Sequence, residues 1–147
     1  MINVFDGEFA FLSNFYPSPI SDADNTITFP TVEHYFQAAK TLNDVEAREI
    51  AAAPTPGLSK RLGRHCALRP DWEDIKIDVM RDALRLKFAI PELREKLLAT
   101  GDEELCEGTT WHDRFWGVCT CNKCGGRGEN HLGQLLMEIR KEIKEEK

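Results

Sequence analysis

The sequence predicts a mainly helical α+β fold: one compact domain over residues 1–147, with short strands at its N-terminal end. Three observations carry that prediction. From Thr31 onward, apolar residues recur at helical spacing in one segment after another, each closed by proline or glycine. Runs with strand character are only a few residues long and lie mostly before residue 30. No repeat, low-complexity tract or linker marks a domain boundary.

Ile2–Phe5 is a brief apolar run, Asp6-Gly7 a turn, and Phe9–Phe15 an aromatic stretch ending at Pro17 and Pro19. Thr26–Phe29 reads as a strand that Pro30 stops. Thr31 caps a helix whose apolar residues Val32, Tyr35, Phe36 and Ala39 share one face. A second helix covers Val45–Ala52 and a third about Gly57–Arg64. The longest runs from Asp71 to Ala89, with an acidic first turn, Ile75, Val79, Ala83 and Leu86 inward, and Pro91 beyond its end. Glu92–Ala99 follows, closed by Gly101, then a short strand at Leu105-Cys106. The final helix starts near Asn130 and buries Leu132, Leu135, Leu136, Ile139 and Ile143.

Composition narrows the function classes. Apolar residues make up 41% and charged residues 30% of 147, enough for a core and against long disorder. No apolar run approaches the ~20 residues that cross a bilayer, and Met1-Ile2-Asn3-Val4 does not read as a signal peptide. A cytoplasmic protein with no membrane partner is expected. Net charge is −6, so polyanions should not bind indiscriminately. Lys60, Arg61, Arg64, His65 and Arg69 nevertheless form a basic segment without an acid, suited to a compact phosphate-bearing ligand or simply to a solvated helix face. Five cysteines, an odd number, point to reduced thiols.

Four constellations could carry chemistry. Glu33, Gln37 and Lys40 fall at i, i+4 and i+7 beside the apolar stripe of the first helix; spacing alone favours an ordinary solvated face. Trp111-His112-Asp113-Arg114-Phe115-Trp116-Gly117 packs aromatic rings, an acid and a histidine outside any periodic element, as a base-stacking loop or a loop anchored on the core. Gly125-Gly126-Arg127-Gly128-Glu129-Asn130 precedes a helix and would offer free backbone N–H groups to an anion. Cys119, Cys121 and Cys124, flanked by His112 and His131, have tight but possible zinc spacing. A loop of reduced thiols is the favoured reading there, so no metal is expected.

Several segments together resemble one family. They are Phe11-Leu12-Ser13-Asn14-Phe15-Tyr16, Thr31-Val32-Glu33-His34-Tyr35-Phe36-Gln37-Ala38-Ala39-Lys40, Leu62-Gly63-Arg64 and Asp71-Trp72. Met80 to Phe88, Leu98 to Gly101, Asp113 to Gly117 and Asn130 to Met137 continue the series in order. The pattern resembles the NADAR family (NAD- and ADP-ribose-associated), and it overturns the solvated-face reading of the first helix. The resemblance implies a compact, mainly helical fold and N-glycosidase chemistry at a ribose anomeric carbon. It implies functional roles for Glu33, Trp72 and Asp113, with Asn14 and Lys40 lining the same pocket. Val118–Lys123 departs from it with a cysteine-bearing insertion.

The reaction so implied separates charge, positive on the sugar and negative on the departing base. Glu33 is expected on the sugar side, Asp113 as a second acid in the same cavity, and Lys40 as an alternative amine nucleophile. Trp72 and Trp116 are stacking candidates, and Arg64 and Arg81 candidate phosphate contacts. Tyr35, Gln37, Gly117 and Asn130 complete the expected binding set. The favoured substrate is ADP-ribose on guanine in DNA, which makes ADP-ribosylated DNA a partner. The alternatives are a phosphoribosyl amino-pyrimidine intermediate of riboflavin synthesis, or a module that binds ADP-ribose without cleaving it. No cofactor is implied.

Overall fold

The computed structural model describes residues 1–146. The chain forms two compact units, Asn14–Lys87 and a discontinuous one made of Met1–Ser13 with Phe88–Lys147.

In the first unit a two-stranded antiparallel ribbon, β1 (Ile20–Ser21) and β2 (Thr28–Phe29), pairs Ile20 with Phe29 and Ser21 with Thr28. Asp22 closes its turn, accepting from the Thr26 and Ile27 N–H groups. Four helices follow: α1 (Val32–Ala38), α2 (Asp44–Ala51), α3 (Pro56–His65) and α4 (Trp72–Lys87). Their starts are written in the sequence. Thr31, Asn43 and Thr55 each accept a backbone N–H three residues on, and Pro56 sits where its missing N–H costs nothing. Each such cap contributes about 1 kcal/mol.

Helix α1 packs against α2, α3 and α4, so it is buried nearly all round, Val32, Phe36 and Ala38 together with the polar Glu33, His34 and Gln37. On α4 the expected inward stripe of Ile75, Val79, Ala83 and Leu86 is rotated. Ile75 and Val79 are half-buried and Leu86 is exposed, whereas Trp72, Met80, Ala83, Leu84 and Lys87 are buried. The misreading has one cause: the true stripe ends on a lysine, which breaks the apolar pattern.

In the second unit Gly7–Leu12 is a 3₁₀ helix where the aromatic stretch alone suggested strands and turns. It buries Phe11 and Leu12 and packs against α5 (Pro91–Ala99), whose Lys96 ammonium lies 5.8 Å from the Phe11 ring centre. Ile2 meets Leu105 in a single parallel bridge rather than in the strands expected at Ile2–Phe5 and Leu105-Cys106. The short strands fall later, as β3 (Gly108–Thr109) and β4 (Val118–Cys119), which pair in parallel. Helix α6 (His131–Glu145) buries Leu132, Leu135, Leu136, Ile139 and Ile143 as its periodicity predicts. It also buries Arg140, whose guanidinium donates to Thr100 Oγ1 at 2.8 Å at the end of α5. Among the described residues no helix is long and apolar enough to cross a membrane.

Candidate active site

Helix α1 holds the densest set of buried polar groups. Thr31 Oγ1 accepts the His34 N–H at 3.1 Å and lies 2.8 Å from His34 Nδ1. His34 Nε2 is 2.9 Å from the Ala53 carbonyl, which can only accept, so Nε2 carries a proton and donates. His34 thereby ties the start of α1 to the segment after α2. It is a structural histidine.

One face of α1 carries Glu33 and Gln37, both buried. Gln37 Nε2 donates to Glu33 Oε1 at 3.0 Å, fixing the carboxylate. The Glu33 N–H donates to the Asn14 carbonyl at 3.1 Å, which brings Asn14 beside the helix start, and Asn14 Nδ2 donates to Met80 Sδ of α4 at 3.6 Å. Among the described residues, two buried side-chain oxygens have no hydrogen-bonding partner: Asn14 Oδ1 and Gln37 Oε1. A buried acceptor left unpaired costs ~1–3 kcal/mol, so these two amide oxygens retain capacity to accept from a donor.

Room for Gln37 comes from α3. A Cβ at Gly63 would collide with the Gln37 side-chain amide, so glycine is required there for close packing. Arg64, the next residue, is exposed.

Lys40 is not on the helix. Helix α1 ends at Ala38, Ala39 is its C-cap, and Lys40 sits in the following turn, with its N–H donating to the Gln37 carbonyl. It is half-buried, with its ammonium 5.8 Å from the Phe36 ring centre. Burial lowers its pKa; the Glu33 carboxylate opposes that shift, and the Lys60 and Arg64 charges add to it. Of the expected Glu33–Gln37–Lys40 grouping, Glu33 and Gln37 are hydrogen-bonded on α1, while a turn and not a seventh helical position supplies Lys40.

Other expected binders of this unit lie elsewhere or are engaged. Tyr35 points to the opposite side of α1, edge-on to Phe29 at 5.1 Å between ring centres. There it lines a cleft of about 660 Å³ with Ile20, Asp22, Asp82 and Arg85. Trp72 is buried edge-on against Phe36 at 5.0 Å. Arg81 is ion-paired with Asp78 at 2.7 Å. Within the basic segment, Arg69 pairs with Asp71 at 2.7 Å. Arg61, Arg64 and His65 are exposed.

In the second unit the Asp113 carboxylate accepts the N–H groups of Phe115 at 3.2 Å and Trp116 at 2.9 Å, which shapes its own turn. Trp116 is half-buried and stands edge-on to Phe115. A Cβ at Gly117 would strike the Glu107 carbonyl. The Asn130 side chain is engaged at both ends, accepting from the Glu107 N–H and donating to the Leu105 carbonyl, both at 3.0 Å.

The glycine-rich turn does not offer the free N–H groups expected of an anion site. Gly125, Gly126 and Arg127 donate to the carbonyls of Cys121, Cys119 and Cys124. Glu129, Asn130, His131 and Leu132 donate to those of Arg114, Gly117, Phe115 and Trp116. Carbonyls of the same segment already accept these seven N–H groups, so they are not turned toward an anion.

Sequence reasoning passed over Lys87. It is fully buried on α4, its ammonium 5.8 Å from the Tyr16 ring centre, and desolvation pulls its pKa down to about 7. The available signal was a lysine at the end of an otherwise apolar stripe.

Known proteins agree with this architecture. A family model described as the NADAR domain matches residues 4–144. N-glycosidase YbiA of Shigella flexneri serotype 5b is 44% identical over 138 residues, covering 92% of this chain and 82% of that protein. The riboflavin biosynthesis protein PYRR, chloroplastic, of Zea mays is 41% identical over 154 residues, covering 92% of this chain but 23% of that protein. The NMR structure of the E. coli protein YbiA matches with a TM-score of 0.82 at 40% identity, over 99% of this chain and 86% of that one. The chain belongs to the NADAR domain family.

Proposed function

We propose that this chain is an N-glycosidase that parts a base from a ribose at the anomeric carbon, working from the buried row of Asn14, Glu33 and Gln37 with Lys40 beside it. The reaction class is the one its full-length relative is named for. The observation that carries the residue assignment is the buried Glu33 carboxylate, fixed by Gln37 Nε2 and held on a helix start that Asn14 bonds, with the side-chain oxygens of both partners unpaired. A buried carboxylate suits ribose hydroxyls, which supply donors, and suits positive charge developing on the sugar ring.

Two routes use the same groups. In the first, Glu33 holds the oxocarbenium-like sugar and directs water to it. In the second, Lys40, its pKa lowered by burial, attacks as a neutral amine while the C–N bond to the base breaks and its electron pair leaves on the base nitrogen, which takes up a proton. The attached amine then loses its protons, the ring oxygen gains one as the ring opens, and water hydrolyses the resulting imine to restore the lysine. Glu33 is the shuttle for those protons. Borohydride added during turnover distinguishes the routes: a reduced adduct on Lys40 marks the amine, and unmodified protein marks direct water attack.

Arg64, exposed on α3, is the phosphate contact we favour. Asp113, Trp116, Gly117 and Asn130 enter through the sequence resemblance. The chain reads as one NADAR domain because the family match runs through both compact units.

The substrate we favour is ADP-ribose on guanine in DNA, because the basic segment and the Trp-rich loop offer more contact surface than a small metabolite uses. A phosphoribosyl amino-pyrimidine is the second reading, favoured by the Zea mays relative named for riboflavin biosynthesis. Offering both substrates and scoring base release by chromatography decides between them. Glu33→Gln should cut turnover by about 10²–10⁴-fold while ADP-ribose or phosphoribosyl ligand is still held. Binding with no turnover of either substrate by the unaltered chain would make it a passive binder instead.

A further inference from the structure

Residues 112–124 gather four metal-ligand atoms at one point. His112 Nδ1 and the sulfurs of Cys119, Cys121 and Cys124 all lie within 4.8 Å of one another. Nδ1 is 3.3 Å from Cys124 Sγ and 3.4 Å from Cys121 Sγ. A tetrahedral zinc ion with Zn–S of about 2.3 Å and Zn–N of about 2.0 Å requires N···S edges of about 3.5 Å and S···S edges of about 3.8 Å. The cluster is already near that size.

The backbone is built around the sulfurs. The His112 N–H donates to Cys119 Sγ and the Cys124 N–H to Cys121 Sγ, each at 3.3 Å, the outer-shell bonds that steady a thiolate. Cys121–Cys124 is a tight turn held by the Gly125 N–H on the Cys121 carbonyl, with Gly125 and Gly126 both at positive φ. Cys119 and Cys124 are buried. His112 adopts φ 68°, a conformation that costs a non-glycine residue about 1 kcal/mol or more and that is retained where its ring is needed. Spacing alone argued against a metal because Cys-x-Cys is an unusual knuckle. In space the knuckle is Cys121-x-x-Cys124-Gly125, and His112 and Cys119 complete it from the preceding turn and β4.

We infer that His112, Cys119, Cys121 and Cys124 form a structural zinc site. Three thiolates and an imidazole are soft donors that select zinc over magnesium or calcium, and four protein ligands leave no open position for a substrate. On binding, the thiol protons pass to solvent and the ion closes the loop from Trp111 to Arg127. His112 directly precedes Asp113, so the same closure holds the Asp113–Gly117 turn. The inference stands apart from the reaction proposed above: zinc can be present in a chain that cleaves neither substrate, and absent from one that does.

The test is metal analysis of the full chain purified reduced from cells grown with added zinc, where about one zinc per chain is expected. After chelation, titration with Co²⁺ should give visible d–d bands with a thiolate-to-cobalt charge-transfer band in the near ultraviolet, and Zn²⁺ should bleach both. Cys121→Ser and Cys124→Ser should lose the metal, whereas Cys66→Ser and Cys106→Ser should keep it. Where a ligand variant fails to fold, the cobalt titration of the unaltered chain decides. Three results would each overturn the site: no stoichiometric zinc together with no cobalt spectrum, a disulfide between two of the three cysteines in the reduced preparation, or loss of metal in Cys66→Ser or Cys106→Ser.

Discussion

Lys87 concentrates what one residue can do to this fold. A lysine takes the place of an aliphatic side chain at the end of the α4 stripe, and its desolvated amine holds a proton only up to about pH 7. In the unfolded chain it titrates near its ordinary value of 10.5. Between those values the unfolded state binds more protons, so this group makes stability rise with pH across the window. Lys87→Met should flatten that rise: its melting temperature relative to the parent should be highest near pH 6 and fall as pH approaches 10. An offset constant across that range would remove the titration from the account. Single residues also mark the limit of legibility. The i, i+4 spacing of Glu33 and Gln37 is visible in the sequence, and so is the pull of the family motif toward them. That two amide oxygens would be left unpaired, and that Gly63 makes space for one of them, depends on α1 meeting α3 and has no local signature.

At the scale of elements, helices were readable where their ends are chemical. Thr31, Asn43 and Thr55 accept the N–H groups their positions imply, and Pro56 and Pro91 begin helices as a proline can. The 3₁₀ helix at Gly7–Leu12 was missed because two short turns are too few to show a period. Helix α6 lacks a side-chain cap altogether. Asn130 stands at its start at φ 53°, and carbonyls of Arg114 to Gly117 satisfy the N–H groups that a cap would have served. Its side chain instead bridges the 105–107 backbone, and Gly133 lets the Leu105 carbonyl approach. Asn130→Ala should therefore cost about 2–4 kcal/mol in denaturant unfolding, because it orphans a buried carbonyl and an N–H and places alanine at positive φ. A loss below about 0.5 kcal/mol would mean that water replaces both bonds.

For the whole molecule, charge is the property that acts at a distance. A chain of net charge −6 repels a polyanion overall, whereas α3, which contains no acid, exposes Arg61, Arg64 and His65. With an ADP-ribosylated oligonucleotide as substrate, Arg61→Ala with Arg64→Ala should lower kcat/KM about tenfold or more at low ionic strength and flatten its salt dependence. An unchanged salt slope would exclude this face as the docking surface. The second compact unit has a further consequence, because its first thirteen residues are separated in the chain from everything else they join. As the protein emerges from the ribosome, Ile2 has no strand to meet until Leu105 has been made, while residues 14–87 can already collapse. The N-terminal segment is then a late-closing clasp, and a nascent chain stalled before residue 105 would present it to proteases and chaperones.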